Sequence, residues 1–552
     1  MPIRVFSAAV ALGLGLILAA SGASATPGTV TLPAATTASV ATDVSVIAPL
    51  TVPTGSGGLI DAETLAEYTD PLGLLTRQLD AVAGKPVVVA IDPMILASIR
   101  VLGTSAPESA RSWLERLSLI SNETVPLPYA NSDPTLATQS GELGPLAPIS
   151  FDFALDEANF AADPEPTNTP EPTDVGTSEF PTYPSTEQLL AWDYSIDGFL
   201  QPRANSVVSS DLGAFAESGF STVAMSSTNV TQGSSAGSVA TVDGVTALIF
   251  DSAASAAMDE ALGSTLDRDV TAAAAALSST VLSAGAAQSA PTASVLIMID
   301  HSLELSAARL DAALASLTAS PSVSVVPLTT LAATEPSTAT VNDMPHSADR
   351  LADFARLTSA AEQERSYFSI ADNPEALIAQ RRLALLDVLG AIPTADSDGW
   401  VTAVNGFLAD SIDYRTAVTV VESSNFLFLA NNSFLPVSVN NDLNQAVTVF
   451  ITVDPRTALL AVDDGRVKVH IEANSQAKGD VPVQALSNGL VNVEISLTSS
   501  TGQAIGTSTV SEINVQAGWE TPIVLASAAL IVVIFAAGFV RSIVRRRKPA
   551  DD

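Results

Sequence analysis

The chain has 552 residues, 47% of them hydrophobic and 15% charged, with a formal net charge of −35 and a pI near 4.1. That length exceeds one ordinary core, and that hydrophobic content excludes disorder throughout. The acidic balance excludes nucleic acid as a partner, because phosphate binding needs a basic surface, and the lack of any cysteine excludes disulfides and thiolate metal sites.

In chain order, residues 1–25 read as a secretory signal peptide. Arg4 is the basic start, 5–20 the apolar core, and Ala23-Ser24-Ala25 the small-residue cleavage pattern. Residues 26–58, rich in Thr, Ala, Ser, Val and Pro without a period, read as an extended or poorly ordered lead-in. Asp61 followed by Ala-Glu-Thr-Leu marks a helix start, and Leu74, Leu75, Leu79 and Val82 keep helical spacing. From residue 86, strands alternate with helices. The predicted strands are 87–92, 124–127, 149–152, 188–193, 221–225, 245–251, 294–300 and 323–326. Apolar runs of this kind fit strands buried on both faces of a parallel sheet. Eight units in about 260 residues match a (β/α)8-like barrel, closed or incomplete, within 59–345. Its 163–186 loop, dominated by Pro, Thr and acids, reads as an extended surface segment.

Residues 346–412 form a helical segment, with Leu351, Phe354 and Leu357 on one face and a second start at Asn373-Pro374-Glu375. From 413 to 517 the period changes to two. Seven short strands, with turns at Asn440-Asn441-Asp442, Asp463-Asp464-Gly465 and Ser487-Asn488-Gly489, predict an immunoglobulin-like β-sandwich. Residues 519–540 are long and apolar enough to span a lipid bilayer, with Trp519 at the interface. Arg541, Arg545, Arg546, Arg547 and Lys548 follow, so 541–552 is expected to be a cytoplasmic tail and the rest to lie outside. The fold class is therefore α/β plus all-β with one C-terminal membrane helix.

Five predicted strands end in aspartate: Asp92, Asp152, Asp193, Asp251 and Asp300. Strand C-terminal ends carry the chemistry of barrels and open α/β sheets. Two such carboxylates with separated pKa values can cleave a glycosidic bond, with Asp92, Asp251 and Asp300 as catalytic candidates. The competing role is helix capping, most clearly for Asp92-Pro93. Tyr129, Trp192 and Tyr194 stand beside these carboxylates, a pattern suited to sugar rings. His301 follows Asp300, but His301, His346 and His470 lack the helical spacing of a zinc deacetylase, and no metal or cofactor is expected. There is no G-x-S-x-G elbow, P-loop or dinucleotide fingerprint.

Several segments resemble one family of exported, membrane-anchored actinobacterial proteins, the domain-of-unknown-function 6049 type. They are Gln78-Leu79-Asp80-Ala81-Val82, Ala90-Ile91-Asp92-Pro93, Ser98-Ile99-Arg100-Val101-Leu102-Gly103 with Ala106-Pro107, Trp113-Leu114, and Leu127-Pro128-Tyr129-Ala130-Asn131-Ser132-Asp133. The later stretch from Ser433 to Asn441, SFLPVSVNN, resembles that family's C-terminal domain. The family has no assigned reaction, so the resemblance carries over no catalytic residue, and it tends to have an acid where this chain has Asn131. Its genes often lie near that of the peptidoglycan-precursor flippase, which implies envelope biogenesis. The expected function is a non-catalytic envelope protein that binds a cell-wall glycan or a membrane partner. Its ligand-binding candidates are Asp92, Tyr129, Asp152, Trp192, Asp193, Asp251, Asp300 and His301. The alternative is a glycoside hydrolase.

Overall fold

The computed structural model describes residues 40–160, 183–233, 236–289, 292–390, 398–421, 426–428, 432–463, 465–515 and 520–546. The predicted signal peptide, residues 26–39 of the predicted lead-in, residues 161–182 and the last six residues lie outside these ranges.

The α/β part is built on a strand that composition concealed. Strand β1 (Ala41–Leu50) lies inside the predicted lead-in, and nearly all of it is buried. It is followed by β2 (Val88–Ile91), β3 (Thr124–Pro126), β4 (Phe199–Leu200), β5 (Thr222–Ser226), β6 (Val230–Gln232), β7 (Val239–Val242), β8 (Val245–Phe250), β9 (Thr292–Met298), β10 (Val323–Val325) and β11 (Ser337–Val341). Seven of these run parallel in the spatial order β3-β2-β1-β9-β8-β5-β4. Strand β1 is long enough to take β10 along its first half and β2 along its second. Hydrogen bonds between Thr124 and Ser195 tie the β3 end of this order to the segment entering β4.

Side-chain alternation explains the two-sided burial. Ile47, Val88, Val125, Phe199, Ala224, Leu248 and Leu296, one from each of the seven strands, join one core. Intervening residues such as Val46, Val89 and Ile297 pack in a second core with the helices. Strands β7 and β8 form a hairpin whose Asp243-Gly244 turn has φ of +49° and +85°, the left-handed pair that an Asp-Gly turn supplies.

Two predicted strands are corrected. Residues 149–152 are a coil leading into a 3-10 turn, Asp152–Ala154. Residues 188–193 contain the end of a helix, Thr186–Leu190, set by a capping box between Ser185 and Gln188. A local cap outweighed a short apolar run in which only Leu189 is buried.

The helical segment is present as Ala348–Tyr367, Pro374–Gly390 and Asp398–Arg415. It is pinned inside by Arg381, whose guanidinium forks onto Glu364 at 2.9 and 3.0 Å and stacks over Phe407 at 4.0 Å. The helix Pro374–Gly390 links the two halves of the molecule. Ahead of its N-terminus, Ala371 bridges Val447 and Asp372 N–H donates to Ala446. Its C-terminal carbonyls accept from Asp133 N–H and the Arg203 guanidinium.

The all-β part has nine strands among the described residues. They are β12 (Val418–Val420), β13 (Phe426–Phe428), β14 (Asn432–Asn441), β15 (Val447–Pro455), β16 (Leu460–Val462), β17 (Val467–Ile471), β18 (Ser475–Ala485), β19 (Gly489–Thr498) and β20 (Ala504–Val515). They form a four-stranded sheet, β12-β14-β18-β16, and a five-stranded sheet, β13-β20-β19-β15-β17, which share one apolar core. The chain closes with a helix, Glu520–Arg546. Its Ile523–Arg545 stretch, with a mean hydropathy of 2.8 and none of it buried, is long and apolar enough to cross a membrane.

Candidate functional site

Because the seven strands are parallel, their C-terminal ends lie on one side. A cleft of about 400 Å³ opens there. It is lined by Asn131 and Ser132 after β3, Gln201 to Asn205 after β4, Ser226 closing β5, Phe250 closing β8, and Met298 to His301 after β9. The helix Ser252–Gly263 adds Ser252, Ser255, Ala256 and Asp259. Their spacing of three, four and seven puts them on one helix face.

His301 is the best-held side chain in the lining. Its Nδ1 lies 2.8 Å from Asn131 Oδ1 and its Nε2 lies 2.6 Å from Gln201 Nε2. An acceptor at one nitrogen and a donor at the other fix the neutral tautomer with the proton on Nδ1. Burial, with the nearby Arg203 charge, pushes the imidazole down to about 4, so it stays neutral at physiological pH.

Asn131 reaches His301 from an unusual turn. Ala130 and Asn131 both have left-handed backbone, with φ of +54° and +49°. Such residues cost of order 1–3 kcal/mol each and persist only where neighbours over-determine them. Two contacts do so. Asp92 Oδ1 accepts from Ala130 N–H at 2.9 Å, and a Cβ on Gly390 would lie 2.2 Å from Ala130 O.

Two acidic residues of the lining stand together. Asp300 N–H donates to Asp259 Oδ1 at 3.0 Å, while the Asp300 carboxylate holds Ser302 through its N–H at 2.8 Å and its hydroxyl at 2.5 Å. Burial pushes the Asp259 carboxyl up to about 6, and the adjacent Asp300 charge adds to the rise. Behind the cleft, Asp133 is fully buried among His346 at 3.3 Å, Arg203 at 3.6 Å and Arg350 at 3.9 Å. Burial alone would raise its carboxyl, but His346, Arg203 and Thr135 outweigh that and hold it at about 2.

The structure brings only Asp300 and His301 of the predicted residues to this cleft. Asp92 is buried beneath it, capping Pro93–Val101 through Met94 N–H at 2.9 Å, and burial pushes its carboxyl up to about 7. Tyr129 is buried and donates to Gly58 O at 2.5 Å. Asp251 caps Ser252–Gly263 through Ala254 N–H and borders a different groove. Asp152 is exposed on its 3-10 turn, away from any strand end. Trp192 and Asp193 precede β4, beside Thr124 at the opposite end of the sheet, where Trp192 Nε1 donates to Thr124 Oγ1. Tyr194 lies with them, its hydroxyl buried without a partner.

The comparisons with known proteins meet this geometry at the level of the family. A family model described as a family of unknown function, DUF6049, matches residues 18–551. The chain belongs to the DUF6049 family. No curated protein matches this DUF6049 chain. Among solved structures, it is similar over 18% of its length to WR4, an MSP family member of C. elegans, at 8% identity, 99% of that chain and a TM-score of 0.15. It is also similar to a FixG-related protein from Vibrio parahaemolyticus, at 15% identity over 18% of this chain and 94% of that one, with a TM-score of 0.15. Trypsin-activated alpha-2-macroglobulin from Escherichia coli gives 14% identity over 18% of this chain and 7% of that one, with a TM-score of 0.16. At such scores these likenesses carry no argument about this DUF6049 member.

Proposed function

We propose that the chain is an exported, single-pass envelope protein whose cleft binds a cell-wall glycan without transforming it. The observation that carries this reading is His301, held at both nitrogens by Asn131 and Gln201. A ring fixed in this way is a recognition surface and has no free nitrogen to act as a base. Two further aspartates that sequence offers as catalysts, Asp92 and Asp251, each cap a helix through Oδ1, and Asp92 Oδ1 also accepts from Ala130 N–H. The lining is rich in amides and hydroxyls, the groups that pair with sugar hydroxyls.

On this reading the seven parallel strands are a barrel with one unit fewer than eight, closed across β3 and β4. The single core shared by alternate residues of all seven supports it. The two-sheet part is an immunoglobulin-like spacer above the membrane helix, and the ectodomain faces an actinobacterial exterior.

A second reading, a glycoside hydrolase, is favoured by one observation. Asp259, raised to about 6 by burial, has the weakened acidity that a general acid needs, and a second carboxylate, Asp300, stands beside it. Calorimetry with the full chain in lipid nanodiscs and solubilised cell-wall glycan tests both. Saturable binding without turnover, lost in His301→Ala, fits the binding protein. Release of reducing ends that stops in Asp259→Asn fits the hydrolase and overturns the first reading.

A further inference from the structure

The two acids of the cleft share their lining with one guanidinium, Arg203, which feels the Asp300 charge without pairing to it. Among the described residues, neither Asp259 nor Asp300 joins an ion pair, although the two share a hydrogen bond. The nearest arginine in the lining, Arg203, pairs with buried Asp133 and gives Nη2 to the carbonyl of Gly390 at 2.8 Å. A second and independent feature lies in the same lining. Gln201 is 6% exposed, gives its Nε2 to His301, and leaves its Oε1 buried with no partner. An unpaired buried acceptor is destabilising, so its retention in a cleft points to a donor that arrives with a ligand.

We infer that the cleft recognises a protonated primary amine, through Asp259, Asp300 and Gln201 Oε1, on an unacetylated amino sugar. An ammonium has three N–H donors and no acceptor, so two carboxylates and one amide oxygen match its inventory. A hydroxyl-only sugar would leave two adjacent carboxylates without an ion-pair partner. A divalent cation is a poorer match, because no three histidine, aspartate or glutamate side chains converge among the described residues. Ser226 and Ser252 in the same lining supply hydroxyls for the ring positions that flank the amine. The N-acetyl form loses both the charge and two of the donors, so selectivity against it follows directly. The inference rests on the cleft being a glycan site and names which glycan chemistry it takes.

The test uses the full chain in lipid nanodiscs and ligand-observed NMR with glucosamine, N-acetylglucosamine, glucose and alaninamide. Glucosamine is expected to bind at least tenfold more tightly than N-acetylglucosamine or glucose, and more tightly than alaninamide. Asp259→Asn and Gln201→Leu are each expected to weaken glucosamine at least tenfold while keeping the wild-type melting profile. Asp300→Asn, on the exposed side of the pair, is a third variant should either of these unfold. Equal binding of glucosamine and N-acetylglucosamine overturns the inference while leaving a glycan site. Preference for alaninamide over glucosamine replaces the sugar with a peptide amine and also overturns it. No binding of these probes, with cell-wall glycan still bound, overturns the amine and spares the broader reading. No binding of either removes both.

Discussion

Asp92 shows how a residue can look catalytic in sequence and be structural in space. It ends a strand and precedes proline, as many reactive aspartates do, yet it is 1% exposed and its Oδ1 accepts from Met94 and Ala130 N–H groups. Its carboxyl titrates near 7 when folded and near 4 when unfolded. Between those values the folded chain holds a proton that the unfolded chain has lost, so Asp92's contribution to stability falls as pH rises from about 4 to about 7. Urea midpoints at pH 5 and pH 8 should therefore differ less in Asp92→Asn than in the wild type; an unchanged difference would contradict the buried, protonated form. Arg381 and Glu364 give a second expectation. The pair is buried and bidentate, so Glu364→Gln leaves a guanidinium without its counter-charge and should cost about 3–5 kcal/mol by denaturant titration. A loss under 1 kcal/mol would mean that Asp410, the Phe407 carbonyl and the Phe407 and Tyr414 rings hold the arginine without Glu364.

At the scale of elements, β1 decides the α/β part. Ile47 is fully buried in the core shared by the seven parallel strands, and Ile47→Ala should cost about 2–5 kcal/mol. The same substitution at exposed Val510 on β20 should cost under about 0.5 kcal/mol. The sequence hid β1 because its neighbours are Thr-, Ala- and Pro-rich and its own run, ATDVSVIAPL, mixes polar residues with apolar ones. Strands with unbroken Val, Ile and Leu, such as β2, β8 and β9, were legible, as were the proline-started helix Pro374–Gly390 and the alternation of β15 and β19. The cleft was only half legible. Asp300 and His301 follow a clear strand, whereas Gln201 follows the two-residue β4, too short to register as a period. The Ser252, Ser255 and Asp259 face was not legible, because it lies in an alanine-rich run that gives no contrast between helix faces. Gly390→Ala tests how that cleft is held. Its added methyl would strike Ala130 O, so the turn over His301 should open to water; because burial is the main cause of its low pKa, the imidazole should titrate at higher pH by NMR. An unshifted His301 would show that the turn does not depend on Gly390.

For the whole molecule, the central expectation is orientation. The chain carries no cysteine, so single introduced thiols report without background. With the helix Glu520–Arg546 in a membrane, Asp480→Cys on the exposed face of β18 should react with an impermeant maleimide on intact cells. Ala550→Cys, beyond the basic cluster, should react only after lysis. The reverse pattern would overturn the proposed topology.

The helix Pro374–Gly390 gives this arrangement a mechanical side. Seventeen residues make a rod of about 25 Å, bonded next to its start to the two-sheet part and at its end to Arg203 and Asp133 behind the cleft. A displacement of the two-sheet part would therefore be carried along a stiff rod to the residues beside the turn that aims Asn131. On the proposed reading, strain applied to the two-sheet part is expected to reach the side chain that holds His301.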